Sequence, residues 1–115
     1  NLADLLRSTG QEAEAETVLR KGISHVPDAA ALHHSLGLSL VRQRRLAEAL
    51  PELEAATRGR GTTTRYSYVY AIALHSAGRS KDALAILDAQ LKQRPGDREL
   101  MQARESVVRE SSSGR

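Results

Sequence analysis

The chain has 115 residues, a length that suits one domain, and its 17 basic and 14 acidic residues give a formal net charge of +3. It contains no cysteine, which excludes disulfides, thiolate metal sites and cysteine nucleophiles. It also lacks tryptophan and phenylalanine, and no apolar run approaches the roughly 18 residues of a membrane span, so we expect an aliphatic core and no membrane helix.

Residues of the same type recur every 34 positions along the chain. The positions in register are Leu2, Leu36 and Tyr70; Leu6, Leu40 and Leu74; Ala15, Ala49 and Ala83; Leu19, Leu53 and Leu87; and Pro27, Gly61 and Pro95. A period of this length is typical of stacked helical repeats. Each such repeat buries its apolar face only against its neighbours and leaves an extended surface, so the pattern predicts a binding scaffold.

Residues that start or end helices recur with the same period and predict seven antiparallel helices with no strand. In chain order, they run from Leu2 to Gly10, from Glu12 to His25, from Leu32 to Val41, from Leu46 to Arg58, from Thr64 to Gly78, from Ser80 to a point before Pro95, and from Asp97 to about Glu110. Gly10 is predicted to be a left-handed C-cap. Predicted N-caps are Asp28, the threonines from Thr62 to Thr64, and Ser80, and Asp97 is predicted to start the last helix. The residues after Glu110 are predicted to be a disordered tail.

One segment carries a conflicting local signal. Tyr66, Tyr68 and Tyr70 alternate as strand residues do. Tyr70, however, falls in the repeat position of Leu36. Because tertiary packing commonly outweighs a weak local propensity, we expect a helix here.

These residues resemble the tetratricopeptide repeat family. The matching positions are Leu2-Ala3, Leu6, Gly10, Ala15, Leu19 and Pro27 in a first repeat; Leu36-Gly37, Leu40, Ala49, Leu53 and Ala56 in a second; and Tyr70-Ala71, Leu74, Gly78, Ala83, Leu87 and Pro95 in a third. Arg44 stands where the family has its turn glycine. The resemblance implies an all-α fold, a right-handed α-solenoid of antiparallel helix pairs.

The resemblance also divides the chain, as one domain, into three repeats and an end. The expected parts are a truncated first repeat at 1–29, a second repeat at 30–63, a third at 64–97, a capping helix at 98–110 and the disordered tail at 111–115. In the last helix, Arg104 and Glu105 replace the expected Leu and small residue. We therefore expect it to cap the array, with Leu100, Met101, Val107 and Val108 covering the last repeat.

Residues that could carry chemistry are few. His25, His33, His34 and His75 raise the question of a metal site, but adjacent helical residues point about 100° apart and no H-x-x-x-H pattern occurs. No nucleophile, base and orienting group form a recognisable set. We expect no metal, no cofactor and no enzymatic activity.

The usual ligand surface of the family is a concave groove lined by the first helix of each repeat. The resemblance places in that groove Asp4, Arg7, His34, Leu38, Val41, Arg42, Arg65, Tyr68, Ile72 and His75. An apolar strip with cationic margins favours a protein or peptide segment of acidic and apolar character, with Tyr68 as its anchor. The chaperone-tail clamp of the family is not implied, because Asp4, Ser35 and Val69 replace residues that it requires.

Two other functions stay open from the sequence. Exposed faces of the terminal helices could pair two copies, which would make the chain a self-association module. The arginines between Arg42 and Arg65 suggest nucleic-acid binding as a distant alternative, although much of the charge follows the helix dipoles. A weaker likeness of residues 68–79 to repeats of bacterial proteins with multihaem modules makes a periplasmic parent an alternative to the cytoplasm.

Overall fold

The computed structural model describes residues 2–113, with side chains described for residues 10–111. Over this part of the chain the fold is all-helical, which confirms the predicted fold class. The six helices are α1 (Leu2–His25), α2 (Ala30–Arg42), α3 (Leu46–Arg58), α4 (Thr64–Ser76), α5 (Ser80–Gln93) and α6 (Arg98–Ser113). Helix α4 includes the three alternating tyrosines, so the repeat register was the better guide there. None of the described helices combines the length and apolar character needed to cross a membrane.

The predicted helix break at Gly10 is wrong, so residues 2–113 form six helices instead of seven. Gly10 lies inside α1, outside the left-handed region, and a Cβ added to it would meet nothing within 4 Å. A glycine in a helix interior costs only about 1 kcal/mol relative to alanine. The turn after α2 joins two helices that pack on each other, α2 and α3, and the turn after α4 likewise joins α4 and α5. Helix α1, by contrast, packs mainly on α2. The sequence signal of one glycine is too weak to break α1 without such packing.

The chain divides into two compact units, Asn1–Thr62 and Thr63–Arg115. In the first unit, α1 packs on α2 and α2 packs on α3. Leu36, Leu40, Ala49 and Leu53 are at most 1% exposed and form its core. The helices come close because Gly37 faces Leu53: a Cβ at Gly37 would lie 2.5 Å from Leu53 Cδ2.

In the second unit, α5 packs against both α4 and α6. Its core residues are Tyr70, Ala71, Leu74, Ala83, Leu87, Leu100, Ala103 and Val107. Of the four residues expected to cap the array, Leu100 and Val107 are buried. Met101 and Val108 are 50% and 39% exposed. One face of α6 is therefore packed as expected and the face beside it is exposed, while the capping role of α6 stays a prediction.

Helices α2 and α4 end in the same way. Arg44 and Gly78, one period apart, both have positive φ, at 62° and 82°. The following amide reaches back to the helix in each case, from Arg45 N to Leu40 O and from Arg79 N to Leu74 O, both at 2.8 Å. This is a Schellman C-cap, which requires a left-handed residue and usually selects glycine.

The start of α2 and the end of α3 are joined by a short parallel bridge. Ala30 N donates to Arg60 O at 3.0 Å, and Arg60 N donates to Asp28 O at 2.7 Å. The Arg60 guanidinium also donates to both carboxylate oxygens of Asp28, at 2.8 and 3.1 Å. Gly59 permits this approach, because a Cβ there would lie 2.7 Å from Asp28 O.

None of the three predicted side-chain N-caps forms. Thr63 is the N-cap residue of α4 but makes no side-chain cap hydrogen bond, and the N-cap residue of α5 is Arg79, so that Ser80 lies inside the helix. Asp97, predicted as the start of the last helix, accepts a hydrogen bond through Oδ1 from Leu100 N at 3.0 Å and so caps α6. Asp28 does not cap α2, whose N-cap residue is Ala29, because its carboxylate is taken up by Arg60. Helix α6 continues through Ser113, so the first three residues of the predicted tail are helical. The remaining two, residues 114–115, lie outside the described part of the chain.

Candidate functional site

One face of α2 carries four of the residues assigned to the groove. His34 and Leu38 are partly buried, Val41 is 40% exposed and Arg42 is exposed. The spacing of four and three residues places His34, Leu38 and Val41 on one side of the helix, and Arg42 lies at its border. This face is apolar along its length and ends in a cation.

Arg42 is held by a carboxylate of α1. Its Nε donates to Glu12 Oε1 at 2.7 Å, and Ser39 Oγ donates to the other oxygen of Glu12 at the same distance. These hydrogen bonds, from Arg42 above all, lower the pKa of Glu12 below its ordinary value. The cation predicted for the margin of the face is therefore already paired.

A second acidic residue one turn further along α1 makes a similar link. Glu16 Oε1 accepts hydrogen bonds from Arg45 Nη1 at 2.6 Å and from Gln43 Nε2 at 3.2 Å. The hydrogen bond from the Arg45 guanidinium lowers the pKa of Glu16 to about 2. Its effect is larger than that of partial burial, which acts to raise this pKa. Arg45 also binds Glu48, so this arginine joins α1 to the first turn of α3.

The face of α4 carries the second group of assigned residues. Arg65, Tyr68, Ile72 and His75 follow at steps of three, four and three residues, and Ile72 is 36% exposed. The Arg65 Cζ lies 5.0 Å from the centroid of the Tyr68 ring, which is cation–π distance. Arg65 Nη1 donates to Glu99 Oε2 of α6 at 2.9 Å.

His75, at the far end of the same face, is hydrogen-bonded on both sides. Its Nδ1 lies 2.9 Å from Ser80 Oγ and its Nε2 lies 2.7 Å from Glu110 Oε1. A neutral ring with its proton on Nε2 satisfies both partners, because the Ser80 hydroxyl can donate to Nδ1. The imidazole thus links the end of α4 to the start of α5 and to α6.

A polar cleft of about 530 Å³ opens beside this histidine within the second unit. Its lining residues are His75, Gly78, Arg79, Ser80, Lys81, Asp82, Leu84, Glu110 and Ser111. Arg79 is paired with Asp82 at 2.9 Å. Within the described part of the chain, no three His, Cys, Asp or Glu residues come together as metal ligands.

Eight of the ten assigned residues lie in two groups, one within each unit. The first unit brings together His34, Leu38, Val41 and Arg42 on α2, and the second brings together Arg65, Tyr68, Ile72 and His75 on α4. The side chains of the remaining two, Asp4 and Arg7, lie outside the described residues.

Sequence reasoning missed the acidic residues that border the face of α4. Glu99 lies 34 residues after Arg65, so the two occupy the same position of consecutive repeats. Glu110 lies 35 residues after His75. Opposite charges one repeat period apart could have indicated the pair of Arg65 and Glu99 from the sequence. We had instead attributed much of the charge pattern to the helix dipoles.

Most arginines of the stretch proposed for nucleic acid are paired with carboxylates. The pairs are Arg42 with Glu12, Arg45 with Glu16 and Glu48, Arg58 with Glu54, Arg60 with Asp28, and Arg65 with Glu99. Nucleic-acid affinity depends on cations that neutralise phosphates. Cations already engaged by acids disfavour that function.

A sequence model of the tetratricopeptide repeat matches residues 1–63 and again residues 34–98. No curated protein matches the chain. Among 21 matching chains of solved structures is MamA MSR-1 C2, with a TM-score of 0.72 and 22% sequence identity. The alignment covers 92% of this chain and 61% of that one, so the chain spans about three fifths of the length of MamA. At this identity the likeness shows a shared fold.

Proposed function

Because the chain belongs to the tetratricopeptide repeat family, we propose that it acts as a non-catalytic protein-interaction scaffold, and that the face of α4 is a docking surface for a peptide segment. The observation that carries the proposal is the order of side chains on this face. Tyr68 and the exposed Ile72 form an apolar centre, and Arg65 and His75 stand at its two ends. An aromatic residue beside a cation is the kind of pair that dominates binding energy at interfaces.

The expected ligand combines an acidic group with an apolar side chain. Glu99 accepts a hydrogen bond from Nη1 of Arg65. Among the described residues, no acceptor is hydrogen-bonded to Nε or Nη2 of this arginine. Those two donors form the planar edge that binds a carboxylate with two parallel hydrogen bonds. Ile72 lies seven residues further along the helix and would receive the apolar side chain.

The face of α2 supports the same function in the first unit. Val41 and Leu38 offer an apolar surface, and His34 lies beside them. Arg42 contributes less to binding here, because Glu12 already engages its Nε. We expect the α2 face to bind apolar side chains and to select weakly for charge.

Single substitutions on α4 test the proposal. Tyr68→Ala and Arg65→Ala should each weaken binding of acidic and apolar peptides, selected from a displayed peptide library, by about 1 kcal/mol or more, as expected for a binding hot spot. Tyr66→Ala, which removes a tyrosine outside this face, is the matched control and should leave affinity unchanged. Affinity is measured by calorimetry and folding stability by urea unfolding. Lost stability with unchanged affinity would show that Tyr68 is a packing residue.

Self-association is the second candidate, and the exposed face of α6 favours it. Met101 and Val108, two turns apart, are 50% and 39% exposed on one side of this helix. Apolar side chains aligned in this way can pair two copies about a two-fold axis. Light scattering over a concentration series decides the matter: a mass that stays at 12.5 kDa rejects self-association.

A further inference from the structure

The guanidinium of Arg65 is held on two sides. Its Nη1 donates to Glu99 Oε2 of α6 at 2.9 Å, and its Cζ lies 5.0 Å from the centroid of the Tyr68 ring. The side chains of Arg65 and Glu99 are 59% and 56% exposed, so both remain accessible at this end of the face of α4. A ligand that binds Arg65 therefore also meets the charge of Glu99.

The place of Glu99 is set by its neighbours in α6. Leu100, the next residue, is 1% exposed, and its amide donates to Asp97 Oδ1 at 3.0 Å. Glu99 lies in the first turn of this helix, where the helix dipole favours a negative charge. Because its helix is anchored in the core on one side and capped at its start, Glu99 keeps a negative charge beside the Arg65 guanidinium.

Three charges meet when an acidic ligand binds the Nε and Nη2 edge of Arg65. A carboxylate bound there by two parallel hydrogen bonds lies about 7 Å from the carboxylate of Glu99, as the planar guanidinium requires. At this distance in a largely aqueous setting, repulsion by Glu99 weakens binding of a singly charged group by about threefold and of a doubly charged group by about tenfold. The repulsion offsets much of the additional attraction that Arg65 exerts on the doubly charged group.

We propose that Glu99 is the charge filter of the face of α4, a role that rests on the docking function proposed above. It makes the Arg65 end select a segment with an unmodified aspartate or glutamate. A phosphoryl group carries close to two negative charges and usually gains from them at an arginine. Glu99 removes most of that gain, so phosphorylation of the partner does not strengthen its binding.

Three synthetic peptides with blocked ends are the probes. Each has leucine three positions after a variable residue, a separation of about 10 Å in an extended chain, which matches the helical rise from Arg65 to Ile72. The variable residue is glutamine, glutamate or phosphoserine, which at about pH 8 supplies no charge, one or about two negative charges. Each peptide is titrated into the isotope-labelled full chain, and the NMR shifts of the Tyr68 and Ile72 amides report binding at this face.

Glu99→Gln removes the charge and keeps an oxygen that can accept from Arg65. We expect this variant to bind the glutamine peptide as the parent chain does, the glutamate peptide about threefold more tightly and the phosphoserine peptide about tenfold more tightly. The matched control is Glu105→Gln, because it changes the net charge equally on the same helix but removes a partner of Arg109, not of Arg65. It should leave all three affinities unchanged.

A change in affinity that is equal for the three peptides, or no change, overturns the charge filter. An equal loss would show that Glu99 only positions Arg65. Tyr68→Ala tests the docking function by itself, because it should weaken binding of all three peptides whatever Glu99 does. If no peptide shifts the Tyr68 and Ile72 amides of the parent chain or of Glu99→Gln, both the docking function and the filter are wrong.

Discussion

Two residues in the first unit, Arg44 through its backbone and His33 through its side chain, are held in states that their residue type does not favour. Arg44 has a φ of 62° at the turn after α2, in a region that costs a non-glycine residue about 1–2 kcal/mol. His33 sits between two oxygen acceptors, with Nδ1 2.9 Å from Glu52 Oε1 and Nε2 2.6 Å from Pro27 O. Only the doubly protonated imidazolium can donate to both. Each state gives a stability prediction.

Arg44→Gly should stabilise the chain by about 0.5–1 kcal/mol, because glycine adopts positive φ without a Cβ clash, although it also gains freedom in the unfolded chain. The matched reverse change is Gly78→Ala, one period later. No atom lies within 4 Å of a Cβ there, so its destabilisation of about 1 kcal/mol would come from backbone conformation alone. Urea unfolding of both variants checks the pair. Equal stability of Arg44→Gly and the parent chain would show that this turn stores no strain.

The His33 link should make stability fall as the solution becomes alkaline. Burial lowers the pKa of His33, but the hydrogen bonds to Pro27 O and Glu52 outweigh it and leave the pKa above its ordinary 6.5. A raised pKa in the folded state contributes stability that is complete below pH 6.5 and is lost as pH rises through the folded value. Unfolding midpoints at pH 6 and pH 8.5 should therefore differ more in the parent chain than in His33→Gln. An identical pH response of the two proteins would contradict the link.

At the scale of helices, the close pairs depend on small residues at the crossing points. Ala49 in α3 and Ala83 in α5 are 0% exposed. A larger residue there would force the paired helices apart. Ala47 and Ala85 lie on the same two helices but are exposed, and they provide matched positions for comparison.

Ala49→Leu and Ala83→Leu should each destabilise the chain by about 1–3 kcal/mol through overpacking. The same change at the exposed positions, Ala47→Leu and Ala85→Leu, should alter stability by less than about 0.5 kcal/mol. Thermal unfolding followed by circular dichroism measures all four. Unchanged melting of the first pair would place these residues away from the helix crossing.

The helices that could be predicted from the sequence are those in which several signals coincide. From α2 to α5, the apolar spacing and the repeat period coincide, and in α4 the repeat period outweighed the strand-like alternation of the tyrosines. At Gly10 only the glycine and the period indicated a break, and neither reports whether two packed helices flank the turn. In α6, the sequence could not show which of Leu100, Met101, Val107 and Val108 would be covered, because that depends on the orientation of the helix.

The candidate site shows the same limit. The resemblance to the repeat family assigned Tyr68 and Ile72 to one face, and their spacing of four residues puts them on one side of α4. The ion pair of Arg65 with Glu99 depends on how long side chains orient between two helices, and no linear pattern specifies such orientations. Asp4 and Arg7 remain predictions.

At the scale of the whole molecule, acid should be more damaging than the positive net charge alone suggests. Glu12, Glu16 and Asp28 all have a pKa held below the ordinary value by an arginine. Their pairs join α1 to α2, α1 to the start of α3, and the start of α2 to the end of α3. As these carboxyls protonate, Arg42, Arg45 and Arg60 lose acidic partners, and the repulsion among the 17 basic residues of the chain grows.

Glu16→Gln should therefore destabilise the chain at pH 7 and have a shrinking effect in acid. A lowered pKa in the folded state contributes stability that is present above 4.5 and is lost as pH falls through about 2. The difference in unfolding midpoint between the parent chain and Glu16→Gln should be constant above pH 5 and decrease below it. Glu14→Gln, at an exposed glutamate outside any described ion pair, should show no such trend. A constant difference down to pH 2 would exclude the Arg45 pair as its source.

The bridge between Ala29 and Arg60 makes the segment from residue 28 to residue 60 a closed loop of chain. The polypeptide enters and leaves the α2–α3 pair at a single point, fastened by two backbone hydrogen bonds and the bidentate Arg60–Asp28 pair. The enclosed length is close to the 34-residue period. A segment whose two ends lie side by side can be duplicated, deleted or inserted as a unit, because the distance between the two points where it joins the rest of the chain stays the same. Gly59 allows the backbone at the end of α3 to approach the backbone before α2, and so allows the two ends of this segment to lie together.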